Sequence, residues 1–207
     1  MADRVRSWPG PLARKFRDAG HWAIPALLVA LAGGCASNPP PPMTAVSGFE
    51  AERYIGEWHQ VAAIPAWFQS HCTAEIKANY ALADDGVLKV LNSCETADGT
   101  LNEAEARARF VDGRFLGKLE VTFVEAMGLW LWPAAGDYWI IGLDEDYQWA
   151  VVGEPARKYA WVLARSRSLD ADVLQNIERI LDGEGYDSCD LLLTTAEENG
   201  RLCDLTA

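Results

Sequence analysis

Histidine is the commonest general base in catalysis, and this 207-residue chain has three: His21, His59 and His71. His71 next to Cys72 is the one adjacency that would pair a nucleophile with a base. Adjacent side chains on an extended chain point to opposite faces, so the pair is not expected to act. His59 has the parity opposite to Trp58 and reads as a surface residue. HExxH, CxxC and GxSxG are all missing, which leaves the zinc and serine hydrolase templates without support. Carboxylates are plentiful, 30 against 18 Lys and Arg, but the densest group, Asp144-Glu145-Asp146, reads as a solvated turn. The net charge of −12 excludes non-specific binding to nucleic acid, which needs a basic surface. Nine Trp exclude a disordered polar chain. No catalytic residue, metal site or cofactor is expected, and the chain is read as a non-enzyme.

The first 35 residues read as an address. Arg4, Arg6, Arg14, Lys15 and Arg17 precede an apolar stretch from Trp22 to Leu31 and then Ala32-Gly33-Gly34-Cys35. Basic residues, a short apolar core and small residues make a signal peptide, and the stretch is too short to cross a bilayer. The small residues ending in Cys resemble a bacterial lipoprotein lipobox. That resemblance implies cleavage after residue 34 and acylation of Cys35, and Ala36 rather than Asp implies the outer membrane, facing the periplasm. Residues 35–48, with Pro39 to Pro42, form an extended spacer. Loss of residues 1–34 leaves 13 basic and 28 acidic side chains, a net −15, so attachment to a membrane must come from acyl chains and not from charge. Export puts Cys72, Cys94, Cys189 and Cys203 in an oxidising compartment, where two disulfides are expected. Four cysteines allow three connectivities.

From residue 55 to 165 the apolar pattern has period two. Ala104, Ala106, Ala108 and Phe110 alternate with Glu103, Glu105, Arg107 and Arg109, as in a strand with one face in water. Leu119, Val121 and Phe123 alternate with Lys118, Glu120 and Thr122. Eight strands are expected: 55–64, 76–82, 87–94, 101–111, 118–123, 138–143, 147–152 and 159–165. Asp84-Asp85-Gly86 makes a hairpin turn, and Asp98-Gly99, Asp112-Gly113 and Ala135-Gly136-Asp137 mark others. An eight-stranded antiparallel up-and-down meander closes into a barrel, which removes its edges. Ser168-Leu169-Asp170 then opens an amphipathic helix with Val173, Leu174, Ile177, Ile180 and Leu181 on one face, ending at Gly183. Leu191–Leu193 adds a short strand. Residues 49–207 thus form one all-β domain with a C-terminal helix packed outside.

Gly56-Glu57-Trp58 in the first strand, Asp144-Glu145-Asp146-Tyr147 between two late strands and Arg165 ending the eighth resemble the three signature regions of the lipocalins. Ala78-Asn79-Tyr80, Val90-Leu91-Asn92, Leu119 to Phe123, Tyr138-Trp139 and Tyr159 to Arg165 look like the bacterial lipocalin and apolipoprotein D branch. His59 stands where that branch has Tyr, and Arg167 where it has Pro. The resemblance implies that Arg165 lies across the Trp58 indole at the closed end and that Gly56 lets the N-terminal segment pass close by. Asp144 and Tyr147 belong to the same structural signature. It implies ligand contacts at Tyr80, Asn92, Phe123, Trp139 and Trp149; alternation adds Ile141 to the inward set. It also implies a Cys72–Cys94 bridge, with Cys189–Cys203 local and Cys72–Cys203 the alternative. In a plain hairpin register Ile76, not Cys72, opposes Cys94, so the chain is expected to fold back before the second strand.

An eight-stranded barrel is either filled or holds one small ligand, and the Ala face of the fourth strand argues for a cavity. A 16-carbon chain has on the order of 10 kcal/mol of transfer free energy, and association removes several kcal/mol of it. Roughly micromolar, reversible binding remains. The resemblance implies fatty acids or lysophospholipids as ligands, held by a membrane-tethered carrier; a homodimer is a partner reading that the sequence leaves open. The competing readings are a lipocalin-fold enzyme with a free interior thiol, and a structural lipoprotein with a filled barrel.

Overall fold

The alternation of Ala with charge on 101–110 needs a sheet with one dry face, and the chain supplies it by closing on itself. The computed structural model describes residues 42–83, 86–194 and 200–205. The expected signal peptide, Cys35 and the linker up to residue 41 lie outside the described residues, as do Asp84, Asp85 and residues 195–199 and 206–207. A one-turn helix α1 (Ala51–Tyr54) leads into β1 (Gly56–Ala63), β2 (Cys72–Leu82), β3 (Leu88–Thr96), β4 (Leu101–Phe110) and β5 (Lys118–Thr122). A small hairpin, β6 (Glu125–Ala126) and β7 (Leu129–Trp130), precedes β8 (Gly136–Leu143), β9 (Trp149–Gly153) and β10 (Ala160–Ala164). After these come α2 (Ala171–Gly183), β11 (Leu192–Leu193) and α3 (Leu202–Leu205). Each barrel strand pairs antiparallel with its neighbour, and β10 pairs back to β1 with His59 opposite Ala164, which closes an eight-stranded barrel. β11 pairs antiparallel with the end of β1 beyond its pairing with β2, with Ala62 opposite Leu193. Among the described residues no helix is long and apolar enough to cross a membrane.

Two apolar layers follow from this closure. Inside, toward one end, Phe49, Tyr54, Trp58, Leu88, Leu119 and Ile140 pack around the alanines of β4, with Ala106 and Ala108 fully buried. Outside, Leu174, Ile177 and Leu181 of α2 cover Val61, Ile141, Trp149 and Val151. The apolar spacing of 171–183 thus makes one buried stripe, as expected.

Both disulfides of the preferred pairing are present, Cys72–Cys94 and Cys189–Cys203, with Cα atoms 5.5 and 5.0 Å apart. The expected fold-back before the second strand is corrected. β2 starts at Cys72 and reaches Cys94 through two register shifts, between Cys72 and Ala74 and between Ala74 and Lys77, with Glu75 at φ +50°. Bulges of this kind insert residues without breaking the strand.

His59 lies on the outer face of β1, its Nε2 3.5 Å from Glu57 Oε1. Burial holds the imidazole below its usual 6.5, outweighing the upward pull of Glu57. A depressed folded-state value means the unfolded chain takes up this proton first as pH falls. Stability is therefore expected to decline as pH drops below about 6.5, toward the folded-state value, with little change from this group above it. Urea midpoints between pH 8 and pH 5 would show this slope, and His59→Gln should remove its share.

Candidate functional site

The closed end is built around one indole. Trp58 is fully buried, its Nε1 donates to the Tyr54 carbonyl at 2.8 Å, and the Tyr54 ring lies 4.7 Å away. The Arg165 guanidinium sits 3.9 Å over the indole and donates to the carbonyls of Glu57, Ile55 and Arg53 at 2.8, 2.9 and 3.0 Å. One side chain thereby ties the entry of the chain to the end of β10. Gly56 has φ +96°, and a Cβ there would lie 3.3 Å from Arg165 Nη1. The close approach is thus to the guanidinium, which corrects the expectation that the N-terminal segment passes there. Asp144 Oδ2 accepts from the backbone N–H of Asp146 and Gln148, both at 3.1 Å. Tyr147, at φ +59°, accepts from the Glu50 N–H at 2.8 Å through its hydroxyl. These residues shape and plug the closed end.

Above that plug the barrel is hollow. A cavity of about 600 Å³ opens at the opposite end, within the range of small-molecule sites, about 300–1,000 Å³. Its floor includes Ala78, Tyr80 and Tyr138, and its wall Val90, Asn92, Ala104, Val121 and Leu163. Trp67, Phe68, Phe123 and Val124 stand at the mouth. The small alanine at 104 is what leaves the space, since a branched residue there would fill it.

Of the expected ligand set, Tyr80, Asn92 and Phe123 line the cavity, whereas Trp139, Ile141 and Trp149 do not. Ile141 and Trp149 are buried in the outer layer beneath α2, and Trp139 packs against that layer with Lys118 Nζ 4.3 Å over its ring. The inward positions are Tyr138, Ile140, Ala150 and Val152 instead. The parity is inverted: β8 and β9 are apolar on both faces because α2 covers the outside, so alternation there does not say which face is which.

Tyr138 is the cavity-lining residue that parity reasoning missed. Its hydroxyl lies 2.9 Å from that of Tyr54 and 2.8 Å from that of Tyr80. Burial pushes Tyr80 up to about 12 and raises Tyr54 and Tyr138 well above their usual value, so all three stay neutral. Three hydroxyl hydrogens share two hydrogen bonds. The donor chain can run so that the third lies on Tyr138 or Tyr80, both on the cavity floor, where it can meet an acceptor atom of a guest. At the mouth Gln69 Nε2 donates to Gln60 Oε1 and Trp161 Nε1 donates to Gln69 Oε1, each at 3.3 Å, pinning the β1–β2 loop to the wall.

His71 sits in the turn before β2, where strand parity does not apply. Its ring nitrogen and the sulfurs of Cys72 and Cys94 come within 4.8 Å of one another. Those sulfurs are joined, so neither can offer the thiolate that metal binding or attack requires. All four cysteines among the described residues are in disulfides, which removes the interior thiol on which the enzymatic alternative depended.

Residues 49–196 match the family described as a Lipocalin-like domain. The chain is 35% identical over 147 residues to temperature-induced lipocalin-1 of Arabidopsis thaliana, covering 70% of this chain and 78% of that protein. It is 33% identical over 154 residues to the outer membrane lipoprotein Blc of Escherichia coli, covering 73% and 82%. Apolipoprotein D of Macaca fascicularis is 33% identical over 172 residues, covering 80% and 84%. Among solved structures, insecticyanin of Manduca sexta aligns with a TM-score of 0.60 at 18% identity over 75% of this chain and 85% of that one. The amine-binding protein of Rhodnius prolixus, solved with tryptamine, aligns at 0.54 and 18% over 82% and 93%.

Proposed function

The chain belongs to the lipocalin family, and from that premise we propose that it is a membrane-tethered carrier of single-chain amphiphiles, fatty acids or lysophospholipids. The observation that carries this reading is the 600 Å³ cavity, walled by apolar side chains with a few polar groups at fixed places. A wall of that kind takes an alkyl chain for the hydrophobic free energy and orients it with the tyrosine hydroxyls and the Asn92 amide. The role is binding and release: micromolar affinity leaves the ligand exchangeable.

Cys35 acylation supplies the tether, and the similarity to an outer membrane lipoprotein of Escherichia coli favours the outer membrane. Mass spectrometry of the N-terminal peptide tests this part: a diacyl or triacyl mass on Cys35 supports it, an unmodified or absent Cys35 contradicts it. The carrier reading is tested separately by titrating the tryptophan fluorescence with 16-carbon lysophospholipid. Saturation near micromolar ligand is expected; a linear, unsaturable change contradicts it.

Tyr138→Phe removes the hub of the hydroxyl trio. The loss of one neutral hydrogen bond is worth about 1 kcal/mol, so an amphiphile bearing an acceptor is expected to bind about fivefold more weakly. A plain hydrocarbon probe should be unaffected, and competition titrations with the two probes would separate these cases.

A further inference from the structure

Among the described residues, most of the large hydrophobic side chains that the fold leaves in water lie on segments at one end. Thirteen large hydrophobic side chains are exposed among the described residues, and eight of them lie on mouth-end segments, including Trp67 (79%), Leu101 (63%), Met127 (100%) and Leu129 (67%). Large apolar side chains gathered at one end of a fold mark an interaction surface. The β6–β7 hairpin makes the point most sharply. Met127 and Gly128 both have positive φ, +52° and +80°, as a two-residue turn requires. A fully exposed methionine in a left-handed conformation contributes nothing to the fold. The base of the hairpin, by contrast, is fastened: Arg107 lies 4.6 Å over Trp130 and Arg109 4.4 Å over Trp132. Leu131 N–H also donates to the Val124 carbonyl at 2.9 Å. The tip is thus held out on a braced support.

The chain enters from the same side. Thr44 N–H donates to Glu184 at the C-terminal end of α2, Val46 N–H to the Ile140 carbonyl, and Phe49 N–H to the Phe115 carbonyl at the closed end. Glu184 in turn accepts from Arg157 of the β9–β10 loop at the mouth. The segment 44–49 therefore descends the outer wall from its mouth-end half to the closed end. Cys35 is seven residues upstream of Pro42, a reach of at most about 25 Å.

We propose that the barrel sits mouth-down on a lipid surface, with the hairpin tip and Trp67 entering the interfacial region and the cavity opening onto the bilayer. Tryptophan favours that layer, and exposed methionine and leucine gain free energy by leaving water. The net −15 of the chain after residue 34 selects a zwitterionic surface over an anionic one. The orientation rests on the tethered-carrier reading; the rim itself does not.

The test uses the acylated full-length protein reconstituted in phosphatidylcholine vesicles, with an environment-sensitive label on Met127→Cys or on Phe115→Cys at the closed end. Brominated phosphatidylcholine is expected to quench the label at 127 and leave that at 115 unchanged; quenching of neither, or of both alike, overturns the proposal. In a second arm, Met127→Asp with Leu129→Asp should slow lysophospholipid uptake from vesicles about tenfold and leave its binding from solution unaltered. Unchanged uptake overturns the proposal. So does a shift from dimer to monomer in light scattering, which would make the patch a contact between two copies. Should the unsubstituted protein bind no lysophospholipid from solution, the carrier reading falls, while the quenching result still reports on the rim.

Discussion

Trp58→Ala is expected to destabilise the barrel by about 4 kcal/mol, the middle of the range for truncating a buried large aromatic. Three losses coincide at this position. The indole fills the closed end, its N–H satisfies the Tyr54 carbonyl, and its face carries the Arg165 guanidinium. Once the indole is gone, Arg165 is left over a void with its carbonyl partners no longer held in place. Total stabilities of single domains are about 5–15 kcal/mol, so the variant should lose a large share of its own, with a fall in Tm of about 12 °C for a chain of this size. Arg165→Lys should cost less, about 2 kcal/mol, because an ammonium retains charge but lacks the fork that spans several carbonyls. Urea unfolding of the unreduced proteins measures both. Equal stability of Trp58→Ala and the unsubstituted chain would show that the signature residues do not hold the closed end.

Ala104→Trp is expected to weaken binding roughly 100-fold with the barrel intact. Ala104 is on the cavity wall, and the space beside it exists because the side chain stops at Cβ. An indole there would displace about four methylenes of an alkyl guest, worth about 3 kcal/mol, or roughly 100-fold in affinity. Overpacking normally costs stability, but here the new side chain enters an existing void, so the far-ultraviolet spectrum and the urea midpoint should change little. Glu105→Trp, one residue along and exposed, is the control that adds the same group to the outside and leaves binding unchanged.

Where one face of a strand meets water, the amino-acid pattern was readable. The β4 alternation placed Ala104, Ala106 and Ala108 inside correctly, because Glu103 and Glu105 could only be outside. The same logic failed on β8 and β9, where every residue of Trp149–Gly153 is buried. An apolar run there is equally consistent with either parity, and a register shift between Ile140 and Gly142 breaks the count as well. Alternation therefore puts Ile141 on the wrong face, and the contacts that the resemblance implies at Trp139 and Trp149 fail at the same place, since all three side chains pack in the outer layer with α2. The interior thiol and the fold-back at Cys72 turned on bulges around Glu75, which depend on tertiary pairing and leave little trace in composition. The β6–β7 hairpin leaves only Gly128 as a trace, because methionine at the other turn position carries no preference for positive φ. Tyr138 could have been found by asking which hydroxyls a dry barrel floor must pair, since a buried phenol needs a partner.

The central claim is that the hollow above Trp58 takes one alkyl chain. Native mass spectrometry of the purified protein mixed with 16-carbon lysophospholipid tests it most directly. The account predicts one adduct per barrel for the unsubstituted chain and none for Ala104→Trp; no adduct on the former, or the same adduct on both, would contradict it.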